Sequence, residues 1–362
     1  MTLSVTLDHR FGDFALDLAF AAPAGLTALF GRSGAGKTSV VNAVAGLLRP
    51  AAGRVAVGAR VLTDTEHRIF VAPHRRRIGM IFQDGRLFPH LTVRGNLRYG
   101  ARFAPRGARP PAFDDVVDML GIAALLDRRP GALSGGEKQR VAIGRALLAA
   151  PDLILADEPL AALDAARKAE ILPWFERLRD AAGVPILYVS HDAAEVARLA
   201  TTVVVLEAGR VTRQGPATEV LADPAVTPAG PREAGAVIAA RVACHHADGL
   251  TELDAGGTAL FVPRIAAAPG RVLRLRVPAG EVILARAAPV GLSALNILPG
   301  TVAALRPGDG PGVMIAVDTG AGRLLARITR RSAAAMGLAP GQPVHAIVKS
   351  LALSPGDGRA AD

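Results

Sequence analysis

Residues Gly31 to Thr38 read G-R-S-G-A-G-K-T, and no other string in the chain restricts the fold as much. A loop of this kind turns its backbone N–H groups inward around phosphate oxygens when a strand leads into it and a helix leads out. The flanks supply both. L-T-A-L-F (Leu26 to Phe30) is an apolar run suited to a buried strand, and Thr38 to Leu48 has helical apolar spacing up to Arg49-Pro50. The spacing therefore predicts a strand–loop–helix unit in which Gly31, Arg32, Ser33, Gly34, Ala35, Gly36, Lys37, Thr38 and Ser39 surround the phosphates of ATP. Lys37 would reach the β- and γ-phosphates, and the Thr38 hydroxyl would ligand Mg²⁺.

Two later strings extend this chemistry. In L-I-L-A-D-E (Leu153 to Glu158) an apolar strand ends at two adjacent carboxylates. Strand alternation sends neighbours to opposite sides, which predicts different jobs. Asp157 suits the metal shell facing Thr38, and Glu158 suits the γ-phosphate side, polarising the attacking water. L-S-G-G-E (Leu133 to Glu137) precedes a segment of helical period. Ser134, Gly135 and Gly136 thus sit at a helix N-terminus, where N–H groups and the helix dipole favour an anion. One nucleotide does not easily need both phosphate-binding elements of a single chain, whereas two chains placed head-to-tail could share two nucleotides.

The 362 residues suffice for two or three domains, and half of them are apolar. No apolar stretch of about 20 residues lacks charge or Pro. The first ten residues have neither a basic start nor an apolar signal core. A lone cysteine, Cys244, excludes an internal disulfide framework and fits a reducing compartment. The expectation is a soluble cytoplasmic protein. The net charge of +10 raises nucleic acid as a partner. Its 38 arginines are spread along the chain, with a tight cluster only at His74-Arg75-Arg76-Arg77, and aromatic residues are 4%. Stacking platforms are therefore scarce, and no nucleic-acid partner is expected. Attraction to an anionic membrane leaflet or a membrane partner fits the charge better.

Up to about Ala222, short apolar runs alternate with helical patterns. Leu153 to Asp157, Pro185 to His191 and Thr202 to Glu207 read as buried strands of a largely parallel sheet. Residues 85–150 are mostly helical, a subdomain inserted into the sheet domain, with a Pro-rich break at Pro105 to Pro111. Residues 223–235 are turn-rich and read as a linker. From 236 to 354, alternating segments such as Arg271 to Val277 and Gly312 to Asp318, closely punctuated by Gly and Pro, predict an all-β region resembling a small barrel. Gly270 to Ala285 resembles Gly341 to Ser354, as two related β-units in one module would. Cys244, His245 and His246 are contiguous, but adjacent residues on a strand point oppositely, which argues against a metal site there.

With every motif in this order, residues 1–222 resemble the nucleotide-binding subunits of ABC (ATP-binding cassette) transporters. The resemblance implies a P-loop NTPase with a RecA-like α/β core. It also implies a homodimer in which L-S-G-G-E completes the ATP site of the opposite subunit. Gln83 in I-F-Q-D takes the Q-loop position, a Mg²⁺ and water contact that senses the membrane partner. Asp164 in A-A-L-D falls in the D-loop, and His191 in Y-V-S-H-D is the switch histidine beside the γ-phosphate. Phe11 takes the place of the aromatic that stacks on adenine, with Phe14 as an alternative.

Without a membrane span, the chain resembles the separate ATPase subunits of prokaryotic importers. These work in pairs beneath a permease dimer on the cytoplasmic face of the inner membrane. R-L-F-P-H-L-T-V-R-G-N-L-R-Y-G (Arg86 to Gly100) is similar to the molybdate-importer subgroup, served by a periplasmic molybdate-binding protein. L-S-A-L-N-I-L-P-G-T-V (Leu292 to Val302) and V-K-S-L-A-L (Val348 to Leu353) look like the opening and closing of an OB-like Mop/TOBE domain at about 289–354. That resemblance implies molybdate bound by Ser293, Lys349 and Ser350, restraining ATP-driven transport. Leu295 departs from the family's usual Arg, which removes a guanidinium fork. Two readings compete: the same machine with tungstate, sulfate, iron or sugar as cargo, and a non-transport ABC ATPase or oxyanion sensor.

Overall fold

The computed structural model describes all residues except 103–109, 162, 164, 182, 224–225, 227–233, 309, 351–353 and 356–362. Most of the expected linker and of the Pro-rich break lies outside the described residues, as do Asp164 and the end of the expected closing strand. The chain divides into two compact units, Met1–His191 with Leu199–Gln214, and Asp192–Arg198 with Gly215–Asp362.

The first unit opens with β1 (Leu3–Phe11), β2 (Phe14–Ala22), β3 (Gly25–Phe30), α1 (Lys37–Ala45), β4 (Ala52–Val57), β5 (Arg60–Asp64), β6 (Ile69–Phe70) and β7 (Ile78–Phe82). It continues through α2 (Val93–Ala101), α3 (Phe113–Leu120), α4 (Gly135–Leu148), β8 (Leu153–Asp157), α5 (Ala165–Ala181), β9 (Pro185–Ser190), β10 (Thr202–Glu207) and β11 (Arg210–Pro216), while α6 (Ala193–Leu199) falls in the second unit but for its last residue. Two sheets result. One has the order β11-β10-β3-β9-β8-β7, and its pairs from β10 to β7 are parallel. Parallel strands covered on both faces need continuous apolar runs, and β9 is buried along its whole length.

The second sheet, β2-β1-β4-β5-β6, is antiparallel and was not among the sequence expectations. Alternation builds it. Leu3, Val5 and Leu7 on β1, and Leu16, Leu18 and Phe20 on β2, face one core, with mostly exposed residues between them. A one-residue slip would turn that row outward, at ~1.5–3 kcal/mol for each large side chain.

Helix α1 shares this core, packing Val40, Val41 and Val44 among Leu29, Leu153, Leu155 and Leu187 of the parallel sheet and the inward row of β1 and β2. It ends at Ala45, three residues before the end suggested by apolar spacing. Gly46 adopts φ 81° and donates its N–H back to the carbonyls of Ala43 and Asn42, a left-handed stop that glycine makes easily. Arg76 closes the same end. Its guanidinium donates to the carbonyls of Ala43, Val44 and Val71 and to Thr63 Oγ1, so this member of the basic cluster is buried. Between β7 and β8, α2 and α3 pack on α4 at Gly144, where an added Cβ would lie 2.7 Å from Leu97 and 2.9 Å from Leu120.

The second unit is mostly β. After α7 (Ala217–Val220) come β12 (Gly235–His245), β13 (Leu250–Ala255), β14 (Thr258–Pro263), β15 (Val272–Pro278) and β16 (Ile283–Ala285). Then follow β17 (Asn296–Pro307), β18 (Gly312–Thr319), β19 (Gly322–Thr329), α8 (Arg330–Ala335), β20 (Pro343–Val348) and β21 (Ser354–Pro355). The two sheets have orders β14-β13-β12-β15-β21 and β19-β18-β17-β20-β16, the same arrangement used twice. Register repeats as well. Ile238 pairs with Leu275 as Leu298 pairs with Ala346, and each long strand bulges at the same place, between Val242 and Cys244 and between Val302 and Ala304. The short last strands are exchanged: β16 of the first repeat pairs with β20, and β21 of the second pairs with β15. The similarity of Gly270–Ala285 to Gly341–Ser354 is this pair of strand–crossover–strand segments.

Candidate functional site

β3 and α1 bracket the Gly-rich loop, and the loop geometry needs its glycines. Gly36 has φ 101°, and a Cβ there would meet Leu16 at 2.7 Å and the Phe14 ring at 3.1 Å. A Cβ on Gly31 would lie 2.3 Å from the Leu206 carbonyl oxygen. A cavity of about 350 Å³ opens over the loop, lined by Phe11, Phe14, Ser33, Gly34, Gly36, Lys37, Thr38, Ser39 and Glu158. Both candidate aromatics therefore reach it, as register partners across the β1–β2 turn. They differ in freedom. Phe14 packs against the core beside Gly36, whereas Phe11 is 40% exposed.

Lys37 is the buried charge of the cavity. Its ammonium donates to the carbonyls of Gly31 at 2.8 Å and Arg32 at 2.9 Å, and lies 3.7 Å from Glu158 Oε1. Burial lowers its pKa, opposed by the charges of Glu158 and Asp157. The Glu158 carboxylate also stands 3.4 Å from His191 Nδ1, so Glu158, which lines the cavity with Lys37, links that lysine to His191.

The two carboxylates after β8 part company differently from the way alternation implies. Asp157 ends the strand, and Glu158 turns left-handed at φ 43° with its N–H on the Val189 carbonyl. A non-glycine residue held there is strained, and such strain collects at functional sites. Asp157 Oδ1 is buried without a hydrogen-bond partner, and burial, then the neighbouring Glu158 charge, raises its pKa. A buried acceptor left unpaired beside a second carboxylate suits a hard cation. Gln83 follows Phe82, the register partner of Asp157, and is exposed.

Ser134 caps α4 in a capping box: its Oγ accepts from the Glu137 N–H at 3.2 Å, and Glu137 Oε2 accepts from the Ser134 N–H at 2.6 Å. The hydrogen bond from the Ser134 backbone lowers the Glu137 pKa. Neither Ser134, Gly135 nor Gly136 lines the cavity over the Gly-rich loop of the same chain.

In the second unit, the proposed oxyanion residues are only partly drawn together. Ser293 and Lys349 are exposed, while Ser350 Oγ lies 3.5 Å from Asn296 Nδ2. Asn296, buried and absent from the sequence-derived set, pairs with the backbone N–H and carbonyl of Phe261. Its signal was its place right after Leu295 in the Mop-like string.

This fold and cavity define an ATP-binding subunit of the ABC transporter class. The ABC transporter family profile matches residues 17–161, and the TOBE domain profile matches residues 292–354. A solved structure of cbiO1 from Clostridium perfringens, part of the ABC transporter complex cbiONQ, is 29% identical with a TM-score of 0.52, covering 62% of this chain and 92% of that one. Among full-length relatives, the molybdenum import ATP-binding protein ModC of Mesorhizobium japonicum is 53% identical, covering 97% of this chain and 95% of the relative. That of Rhizobium meliloti is 54% identical, covering 98% and 99%. The chain belongs to the ModC family of molybdenum import ATP-binding proteins.

Proposed function

We propose that this chain is the ATP-hydrolysing subunit of a molybdate importer, driving uptake through a separate permease. The observation that carries the reading is the Lys37–Glu158 pair over the Gly-rich loop, with His191 against the Glu158 carboxylate, in a chain whose similarity to the ModC proteins runs through both units. Phe11 stacks on adenine, the more exposed of the two rings at the cavity. Lys37, now turned onto loop carbonyls, exchanges them for β- and γ-phosphate oxygens. Glu158 orients and polarises the attacking water, and His191, at hydrogen-bond reach of Glu158, contacts the γ-phosphate.

Thr38, Gln83 and Asp157 would hold Mg²⁺, the orphaned Asp157 oxygen being the observation that fits it. When bound, the ion neutralises phosphate charge. The signature turn, Ser134 to Gly136, serves the nucleotide of a second copy, because it does not line its own chain's cavity. Asp164 belongs to the same dimer interface by its motif. Two ATP molecules then close two copies face to face beneath a permease dimer. That places the chain on the cytoplasmic face of the inner membrane, receiving molybdate indirectly from a periplasmic binding protein. The division into residues 1–222, a linker at 223–235 and a β regulatory region at 236–354 belongs to this reading. So does molybdate at Ser293, Lys349 and Ser350, whose test is the ATPase rate of the assembled transporter with and without added molybdate.

Glu158→Gln retains ATP binding and lowers kcat by at least ~100-fold, measured as phosphate release by the assembled transporter. Retained hydrolysis removes the Glu158 assignment. Uptake of labelled molybdate by cells with and without the chain tests the cargo, and uptake that is unchanged without it counts against molybdate.

A further inference from the structure

The second unit holds a cluster of soft and hard ligand atoms that the ATPase chemistry leaves unused. Adjacent residues of β12 do point oppositely. His245 turns inward, with Nδ1 2.9 Å from Thr251 Oγ1 and Nε2 2.9 Å from the Ala267 carbonyl. Cys244 and His246, two residues apart, share the other face, and Glu252 on β13 is the register partner of Cys244. Alternation thus excludes a site made from both histidines and assembles one from the cysteine, the second histidine and a cross-strand carboxylate.

The three ligand atoms are mutually close. Cys244 Sγ lies 3.6 Å from His246 Nε2 and 3.6 Å from Glu252 Oε2, and Nε2 lies 2.9 Å from Oε2. A tetrahedral zinc ion, with bonds of about 2.3 Å to sulfur and 2.0–2.1 Å to nitrogen and oxygen, sets sulfur about 3.5–3.6 Å from the other two and those two about 3.3 Å apart. Two of the three separations already match. The third opens by a few tenths of an ångström, within reach of a half-exposed imidazole and carboxylate.

We propose that Cys244, His246 and Glu252 form a site for a zinc-like divalent ion, three protein ligands deep with the fourth position open to solvent. Thiolate, imidazole and carboxylate together select a borderline metal over Mg²⁺ or Ca²⁺, which take oxygen ligands. The bulge between Val242 and Cys244 sets this register, so the ion would clasp β12 to β13 at the end of their pairing. Asp64, Glu66 and His67 form another close cluster. That one lacks sulfur, and Asp64 is already held by the His67 backbone and ring and by Arg54.

Cys244 is the chain's only cysteine, so a thiolate-to-metal absorption band reports this site alone. The test is titration of the untagged, chelator-treated full chain with Co²⁺. The expected result is one thiolate-bound Co²⁺ per chain, displaced by Zn²⁺, with the band lost in Cys244→Ser. His246→Ala and Glu252→Gln should each weaken binding at least ~10-fold, since even outer-shell changes cost that much. Basal ATPase activity of all three variants stays at the parent value. A wild-type chain without the band overturns the proposal, as does a band indifferent to both His246→Ala and Glu252→Gln.

Discussion

Single side chains hold the ends of the elements that build the nucleotide-binding unit, and Arg76 holds the C-terminal end of α1. Its buried guanidinium supplies donors to two carbonyls at the C-terminal end of α1, where a cation is also favoured by the helix dipole. Burial pushes its pKa down to about 10, so the charge is held at a cost that its hydrogen bonds must offset. Arg76→Met leaves several buried acceptors unpaired, each worth ~1–3 kcal/mol, against relief of that desolvation. The expected net loss is ~2–4 kcal/mol by urea unfolding, and a variant as stable as the parent contradicts the capping role. The sequence showed Arg76 only as part of a basic cluster, because the two helix carbonyls it caps, those of Ala43 and Val44, lie 33 and 32 residues earlier in the chain. Glu158 is similar. Its identity and partners were legible from the motif, but the left-handed turn that aims it comes from the packing of β8 beside β9.

Among the elements, α4 links the signature turn to the segment after β7. Its first turn carries the Ser134–Glu137 capping box, and further along Gln139 donates to the Phe82 carbonyl while Arg145 donates to the carbonyls of Gly85 and Arg86 and covers the Phe88 ring. Glu137→Ala removes the bond to the Ser134 N–H and should cost ~0.5–1 kcal/mol. The sign of its pH dependence follows from the depressed Glu137 pKa. The stability it contributes is present above the ordinary glutamate value and is lost as pH falls through the lowered folded value. The difference between parent and variant should therefore shrink in acid, read by denaturant unfolding at a series of pH values; a difference that grows in acid refutes it. Arg145→Met should speed amide exchange over residues 84–91 while the buried middle of α4 keeps its protection. Unchanged exchange in that segment would mean α4 does not hold it. The parallel strands β3, β8, β9 and β10 and helix α4 were legible because each is a continuous or helically periodic run, whereas the fifth parallel strand, β7, was not among the expectations. The antiparallel sheet was equally written in the alternation of Leu3, Val5 and Leu7, yet its strands β4 to β6 are short and carry weaker patterns.

At the scale of the whole chain, the duplication in the second unit couples its halves. Leu284 on β16 is buried, and β16 pairs with β20 of the other repeat. Leu284→Ala should cost ~2–4 kcal/mol through the cavity it leaves. Because each half is completed by the other's last strand, amides of β12–β15 and β17–β20 should gain exchange together. Loss of protection confined to the second half would show that the halves open independently. Only a faint echo of this was readable in the sequence, since β15 and β20 share alternation but few identities. The matching bulges and the exchange itself are properties of pairing, which linear spacing does not record.

The exchanged strands also impose an order on synthesis. The first repeat's sheet is finished by Ser354 and Pro355, so its outer edge stays bare until those residues have been added. A ribosome that stalls late would release a protein with an intact nucleotide cavity and an unpaired, adhesive β15.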